Sequence, residues 1–560
     1  MGEPISKVTI VGGGTAGWMA ATHLVTRLNS RAEIPIEVCL IESPNIPTVG
    51  VGEATVPTMK RWFESLDLDE AAFITHCNAS FKLGVRFVNW DHDINGNPLN
   101  YIHPFDGFGD DIQGYNPAYY FHKFNDPGGG SNYSIYHSPI TAVVEGRKGP
   151  KPLEAENFES VLNYAYHLDA GLFAQYLRQI AIERGVIHIL DDVEEIELDE
   201  KGYVSSLQLK QQGRHEIELV IDCTGFKSMI LQQTLGVEFE NYGQYLLNDR
   251  ALAVQLPHLE PTKLEPCTRS TALGAGWSWR VPLYSRIGTG YVFSSAHRND
   301  EEATAEFLDH LGPLGKGAEP RAIGMKVGRA RQTWAKNCIA IGLSGGFIEP
   351  LESTAIYLVD RALGWIVEYF PDKDFNPILS DRYNRLSESL YTEIRDFIVL
   401  HYCTNTREDS DYWKAAREDI TIPDSLKEKL ELFKHALPTE DELDSGFLFS
   451  GLSYLIVLFG KGFFKDVTFP ADRAISASDW ERYQNVLHGV TAELITNLPD
   501  HHQLLSSIRA SRGGDSDTRE LSEAIEKAAQ NKPVVALPDQ ALEPEISFAG
   551  VADEAGGNIL

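Results

Sequence analysis

Three stretches of this sequence set side by side residue types able to do chemistry. Gly12-Gly13-Gly14-Thr15-Ala16-Gly17 carries glycine at the first, third and sixth places of a G-x-G-x-x-G run. Glycine at the first place permits a tight turn, at the third it lets a pyrophosphate approach the backbone, and at the sixth it lets a helix pack closely on a strand. Glu349-Pro350-Leu351-Glu352-Ser353-Thr354-Ala355 follows a β-like run, residues 338–341, and a loop holding Gly342, Gly345 and Gly346. Proline costs little at the first position of a helix, and acidic or hydroxyl side chains suit the free N–H groups of a first turn. The pattern predicts a helix opening at Pro350 with Glu352, Ser353 and Thr354 in its first turn, a natural anion site. A capped helix after a glycine loop is equally ordinary structure. In the third stretch, residues 78–87, Phe81, Leu83, Val85 and Phe87 share one face of an alternating strand, and Lys82, Gly84 and Arg86 share the other. The second face of such a strand is normally solvated, so alternation alone makes Lys82 a surface cation.

The elements around the glycine run give it meaning. It follows a β-branched run at 7–11 and leads into a helix through Trp18–Leu24. A second apolar strand, 36–41, ends at Glu42, placed to accept from a ribose hydroxyl. This context predicts one bound dinucleotide, FAD or NAD, against the alternative of a glycine turn that binds nothing. No second fingerprint follows a strand later, and Gly312–Gly317 lacks the context. Residues 44–58 read as a loop, and 90–156 as a long, aromatic, Gly- and Pro-rich loop region of the kind that serves a site or a lid. Residues 162–184 read as a helix with Asp169 as a candidate N-cap. Strand patterns follow at 186–189, 204–210 and 219–222. Trp277 and Trp279, at i and i+2, lie on one face of a strand, which without other motifs is a core wall. Beyond 355 the chain turns helical, at 360–369, 381–402, 424–435 and 446–459. The tail from 512 is acidic and low in aromatics, with a short helix conceivable at 520–529. The expected fold class is α/β (α+β), with a Rossmann-like dinucleotide-binding part at the start and helices toward the end.

With 560 residues and 43% hydrophobic content, the chain can bury a large core. A formal net charge of −31 argues against nucleic acid and against an anionic membrane surface as partners. The six cysteines are scattered, with no CxxC pair, so neither a metal site nor a disulfide framework is indicated. The longest apolar stretch, 447–459, is too short to span a bilayer, and no signal-peptide core precedes the strand at 7–11. The expectation is a cytoplasmic enzyme.

The sequence resembles the bacterial flavin-dependent tryptophan halogenases from about residue 6 to about 510. The motifs that carry the likeness are GGGTAGWMAA at 12–21, PTVGVGEATVP at 47–57, NASFKLGVRFVNW at 78–90, NYAYHLDA at 163–170, GWSWRVP at 276–282, GTGYVFSS at 288–295 and EPLEST at 349–354. The resemblance implies a fold related to flavin monooxygenases in one unit, 1–510, with an acidic peripheral tail, 511–560. FAD-binding parts (about 1–90, 160–235 and 325–370) would interleave with substrate-binding parts (about 91–159, 236–324 and 371–510). It implies that reduced FAD, with O₂, oxidises chloride or bromide to hypohalous acid, which travels through the protein to a substrate held apart from the flavin. On that likeness Gly12, Gly14, Thr15, Ala16, Gly17, Glu42, Gly50, Ala54 and Gly342 contact FAD. Lys82 is the catalytic lysine and Glu352 the catalytic glutamate. Backbone amides at Thr354 and Ala355 hold the halide, Ala355 standing where the family has glycine. Trp277 and Trp279 wall the flavin from the substrate, and Val281 replaces an isoleucine. His103, Phe105, Ser353 and Tyr454 line the substrate pocket. The implied partners are a separate NAD(P)H-dependent flavin reductase and a small aromatic substrate, with a homodimer left open.

One departure bears on the substrate. Enzymes of the family that act on free tryptophan carry a longer insert with paired tyrosines, a glutamate and a Phe-Trp. Here the segment KHALPTEDELDSGFLFSGLSY, 434–454, is shorter by about a dozen residues and lacks the tyrosine pair and the Phe-Trp. An ammonium and a carboxylate need charged or hydrogen-bonding partners. The expectation is therefore an indole-type or other electron-rich aromatic rather than free tryptophan. Within enzymes the alternative is a flavin-dependent aromatic hydroxylase, and outside them a flavin-binding protein without turnover.

Overall fold

The strand Lys7–Val11 is buried from its second residue on, as a strand covered on both faces must be. It pairs in parallel with Glu37–Glu42 on one side and Leu219–Asp222 on the other, with Val8 opposite both Val38 and Leu219. Ile187–Leu190 extends this sheet at one edge and Cys338–Ala340 at the other, both in parallel, and the short strand Trp334–Ala335 closes it antiparallel. The helix Thr15–Asn29 follows the first strand directly and packs on the helices Ala170–Glu183 and Ala355–Glu368. A computed structural model describes residues 2–30, 35–46, 52–93, 95–126, 128–443 and 447–512 of the chain, all within the compact unit Met1–Arg512. Gly50 and the 520–529 segment lie outside the described residues.

A second, seven-stranded sheet runs in the order Arg321–Gly324, Arg250–Pro257, Arg286–Phe293, Gly276–Pro282, Thr268–Leu273, Gly84–His92 and Pro98–Pro104. All its pairs are antiparallel except Thr268–Leu273 with Gly84–His92. Beside it stands a small antiparallel sheet of Gly52–Ala54, Ala165–Asp169 and Ser80–Lys82.

Four sequence readings are corrected here. Residues 78–87 do not form one strand: the ladder breaks at Leu83, whose N–H donates to Pro266 O, so that Ser80–Lys82 belongs to the small sheet and Gly84–His92 to the large one. Residues 165–169 are strand, not helix. The alternation of Tyr164, Tyr166 and Leu168 serves the small sheet, and the helix starts at Ala170, capped by Asp169 Oδ1 accepting from the N–H groups of Gly171 and Leu172 at 2.9 and 3.0 Å. The 90–156 region is largely structured, with the strand Pro98–Pro104 and the helices Pro117–Asn125, Tyr133–His137 and Pro139–Glu145. Pro117 and Pro139 open helices, and the aromatics Tyr120, Phe121 and Tyr133 are core. Within the 44–58 loop, Gly52–Ala54 is strand.

The C-terminal part is helical, with Pro377–Cys403 and the apolar Gly451–Gly460 as its central members. Among the described residues no helix is long and apolar enough to cross a membrane, and no His/Cys/Asp/Glu cluster is arranged to hold a metal ion.

Candidate active site

The glycine run forms the turn its spacing requires. Gly12 adopts φ +117°, and a side-chain carbon there would stand 2.2 Å from Cys223 O. A Cβ on Gly17 would stand 1.8 Å from Gly12 O, so only glycine lets the helix close on the strand. At Gly14 a Cβ would meet nothing within 4 Å, which leaves open space in front of the helix N-terminus. Gly342 (φ +66°) lies against Ala16: its Cβ would fall 2.8 Å from that methyl, so the second glycine loop seats on the first. Glu42 stands over Gly13, and its Oε2 is 3.0 Å from His188 Nε2. Ala54 packs with Val281, Leu283 and Trp279.

The helix after the second glycine loop starts at Ala355, not at Pro350. Residues 350–353 form a turn in which Ser353 N–H donates to Pro350 O at 3.2 Å and Ser353 takes φ +63°. A residue in the left-handed region cannot continue a helix, so Glu352 and Ser353 project ahead of it. Thr354 is the N-cap, makes no capping bond, and its buried Oγ1 has no partner among the described residues. The first-turn amides, beginning with Ala355, have no intrahelical acceptors. An unpartnered buried hydroxyl beside free amides at a helix N-terminus fits a halide.

Lys82 is fully buried. Its ammonium donates to Thr55 O at 2.9 Å and Ser353 Oγ at 2.8 Å, and lies 5.1 Å from the centre of the Phe105 ring. Burial lowers the Lys82 pKa from 10.5 to about 8, against the opposing pull of Glu352. Alternation alone had pointed Lys82 to solvent; the EPLEST loop covers it.

Glu352 is 4% exposed and meets two imidazoles. His103 Nδ1 is 3.1 Å from Oε1 and 3.2 Å from Oε2, and His401 Nε2 is 3.1 Å from Oε1. Burial by itself would raise this carboxyl, but the two imidazoles outweigh it and hold it at about 2. The other nitrogen of each ring meets a hydroxyl: Ser453 Oγ lies 3.1 Å from His103 Nε2, and Tyr101 OH lies 3.2 Å from His401 Nδ1. Tyr454 is buried behind this wall, its ring 5.1 Å from that of Phe397, which in turn stacks on Phe449 at 3.8 Å.

Trp277 and Trp279 share one strand, with ring centres 6.4 Å apart. The Trp277 indole N–H donates to Glu349 Oε2 at 2.9 Å, and the same oxygen accepts from Asn248 Nδ2 and Tyr402 OH, each at 2.8 Å. Thus the structure brings Lys82, Ser353, Glu352 and His103 into one contact chain, with Phe105 beside Lys82. Sequence reasoning missed His401, Glu349 and Tyr101. The available signal was a histidine in the apolar run FIVLHYC and a carboxylate directly after Gly-Gly-Phe-Ile; both are polar groups that cannot be buried without partners.

A glycine cradle on a parallel sheet, joined to a buried lysine–carboxylate couple, defines a dinucleotide-dependent enzyme of the α/β class. The sequence model of the tryptophan halogenase family matches residues 7–541. Tryptophan 6-halogenase SttH of Streptomyces toxytricini is 36% identical over 524 residues, 90% of this chain and 98% of the relative. Tryptophan 7-halogenase RebH of Lentzea aerocolonigenes is 33% identical over 540 residues, 90% and 99%. The crystal structure of SttH superposes with a TM-score of 0.83, covering 90% of this chain and 100% of that one at 35% identity. BrvH, a flavin-dependent halogenase from Brevundimonas sp. BAL3, gives a TM-score of 0.79 at 37% identity, covering 90% and 99%. The chain belongs to the tryptophan halogenase family and is a flavin-dependent halogenase that uses reduced FAD, O₂ and a halide.

The residues present fit FAD. The space before Gly14 would take a phosphate group on the helix N-terminus, and Glu42 ends the second strand, where a carboxylate would accept from a ribose hydroxyl. Bound there, the flavin supplies the oxidation of halide to hypohalous acid.

Proposed function

We propose that the enzyme halogenates an electron-rich aromatic of the indole type, with Lys82 and Glu352 as its catalytic residues. The observation that carries this reading is the Lys82–Ser353 hydrogen bond, which ties a buried ammonium to the neighbour of a buried carboxylate. The Lys82 ammonium hydrogen-bonds the hypohalous acid, or as a free amine carries the halogen. From hypohalous acid, the halogen–oxygen bond breaks as the carbon–halogen bond forms, the ring gives up its proton, and the oxygen leaves as water; from the amine, water leaves when the nitrogen takes the halogen, and the nitrogen–halogen bond then breaks as the carbon–halogen bond forms, the ring proton returning to the nitrogen. Glu352 stabilises the cationic ring while it forms. Thr354 and Ala355 hold the halide, Trp277 and Trp279 separate the flavin from the substrate, and His103 and Phe105 line the pocket, with Ser353 linking the two catalytic groups and Tyr454 backing the wall. A separate NAD(P)H-dependent flavin reductase supplies the reduced flavin.

The wall around His103 supports an indole-type substrate over free tryptophan. The 447–449 segment is held by Glu393, whose carboxylate accepts the N–H groups of Phe447, Leu448 and Phe449 at 2.8–3.0 Å. Glu440 accepts from the Gly451 amide at 2.8 Å, and Ser450 caps the helix that carries Ser453. These groups are engaged with backbone, and what they hold in place is the aromatic Phe449–Phe397 stack.

The test is mass spectrometry of reactions with enzyme, FAD, a flavin reductase, NADH and chloride or bromide, with indole, tryptophan, phenols or pyrroles. A halogen isotope pattern on indole and not on tryptophan is expected. A pattern on tryptophan overturns the substrate assignment, and oxygen addition without halide overturns the roles of Lys82 and Glu352.

A further inference from the structure

We infer that His501 is a positioning residue for Lys82: its ring accepts the Phe81 N–H, donates to Leu264 O, and so sets the backbone from which the lysine reaches Ser353. The inference rests on the reading of Lys82 as the catalytic lysine.

The strand Ser80–Lys82 lies at the edge of the small sheet. One side of it pairs with Ala165–Asp169, where Phe81 stands opposite Tyr166. Among the described residues no further strand of that sheet covers its other side. The amides of Phe81 and Leu83 flank Lys82, both residues are fully buried, and a buried N–H needs an acceptor. Leu83 N–H finds Pro266 O at 2.8 Å, and Phe81 N–H finds His501 Nε2 at 3.1 Å.

The roles at this ring are set by its backbone partners. A peptide N–H only donates, so Nε2 of the fully buried His501 presents its lone pair to Phe81. A carbonyl only accepts, so Nδ1, 3.3 Å from Leu264 O, carries the hydrogen. One neutral tautomer meets both demands, and an imidazolium would turn a second N–H against that of Phe81. Burial keeps the ring in the neutral form by lowering its pKa from 6.5 to about 4.

The helix that carries this ring, His501–Ser511, is itself tied down at several points. Asp500 caps it, accepting from the N–H groups of His502 and Gln503 at 3.0 and 3.3 Å, and His501 N–H donates to Arg147 O at 2.9 Å. His502 stacks on Tyr284 with ring centres 5.5 Å apart, and the Arg509 guanidinium lies 4.3 Å from the centre of the same ring. Tyr284 N–H in turn donates to Asn78 O at 3.1 Å, just ahead of the lysine's strand. The helix therefore holds the approach to the strand through Tyr284 and its middle through His501. The 264–266 segment links the two acceptors, since Leu264 O receives His501 and Pro266 O receives Leu83.

From this backbone the Lys82 ammonium meets Thr55 O at 2.9 Å and Ser353 Oγ at 2.8 Å. Moving the Phe81–Lys82 peptide by about 1 Å would break that aim, and a displacement of this size costs on the order of 100-fold in rate. The flavin cradle is built from the glycine loops at Gly12–Gly17 and Gly342, so reoxidation of the flavin does not depend on the His501 contact.

The experiment measures halogenated product per reduced flavin oxidised, with indole or whichever arene the enzyme accepts. Wild-type holoenzyme is compared with His501→Gln, His501→Asn and Lys82→Met. Glutamine places an acceptor oxygen at the ε position, whereas asparagine keeps only a donor at the δ position and does not reach Phe81. In His501→Asn product per flavin is expected to fall by about tenfold or more, with the rate of flavin oxidation unchanged, and His501→Gln is expected to stay within a few-fold of wild type. Hydrogen exchange of the peptide around Phe81 is expected to speed up in His501→Asn and to stay slow in His501→Gln. A His501→Asn enzyme as productive as wild type, or as protected at Phe81, overturns the inference and leaves Lys82 in place. A loss in His501→Gln equal to that in His501→Asn overturns the acceptor role, and a loss of flavin oxidation along with product shows general support of the fold and overturns positioning. If His501→Asn does not fold, His501→Gln carries the test: product per flavin near wild type supports the acceptor role, and a fall to the level of Lys82→Met overturns it. Product retained in Lys82→Met overturns the underlying reading instead.

Discussion

Replacing Lys82 by Met separates the cost of burying this lysine from its use. The fall of its pKa from 10.5 to about 8 corresponds to about 3 kcal/mol of native stability spent on keeping the ammonium in the interior. Met fills a similar volume, avoids that cost, and forfeits the hydrogen bonds to Thr55 O and Ser353 Oγ, at about 1 kcal/mol each. The sum leaves Lys82→Met about as stable as wild type, or more stable by about 1 kcal/mol, below pH 8. The sign with pH is fixed. Between about 8 and 10.5 the unfolded chain binds more protons at this lysine than the native one does, so the wild type gains stability with rising pH and the advantage of Met disappears. For catalysis the expectation is opposite: removing a group that acts on the transferring halogen lowers product formation by about 100-fold or more. The assay pairs a thermal melt at pH 7 and pH 9.5 with two rates, reoxidation of reduced flavin by absorbance and halogenated product by mass spectrometry. Flavin reoxidation is expected to be unchanged while product is lost. Product retained within a few-fold of wild type would refute the catalytic role, and a variant that melts far below wild type at pH 7 would refute the account of burial.

Two further expectations follow from geometry alone. Gly17→Ala drives a methyl group into Gly12 O, so it is expected to cost about 1–3 kcal/mol in stability and to weaken FAD binding measured by quenching of flavin fluorescence. Unchanged FAD affinity would show that this turn does not hold the dinucleotide. Glu349→Leu leaves the indole N–H of Trp277, Asn248 Nδ2 and Tyr402 OH without their acceptor and is expected to lower stability by about 2 kcal/mol or more, whereas Glu349→Gln keeps an acceptor oxygen and stays near wild type. Equal melting temperatures for the two variants would contradict the assignment.

What the sequence disclosed was local. The turn at Gly12, the close packing at Gly17 and the cap at Asp169 each depend on a few consecutive residues. The start of the last glycine-loop helix was misplaced because nothing in the letters Pro-Leu-Glu-Ser-Thr announces that Ser353 will take φ +63°. The burial of Lys82 was hidden for a different reason: alternation assigns a face but not what covers it, and the cover comes from Ser353, 271 residues away. His401 and Glu349 are legible only as polar groups in apolar runs, and their partners come from distant strands and helices. The family motifs supplied the roles that local patterns did not.

The break at Leu83 also limits how this protein can be taken apart. One extended run serves the small sheet through Ser80–Lys82 and the large sheet through Gly84–His92, with a single residue between them. The parallel sheet likewise draws its strands from Lys7–Val11, Leu219–Asp222 and Cys338–Ala340, so the chain crosses repeatedly between its two kinds of layer. The dinucleotide cradle and the helical chamber are therefore not modules that recombination can trade between relatives at one crossover. A cut at any loop between Val11 and Cys338 divides the parallel sheet between two fragments. New substrate ranges in such a chain must arise by substitution in place, around a lysine whose position is fixed covalently from both sides.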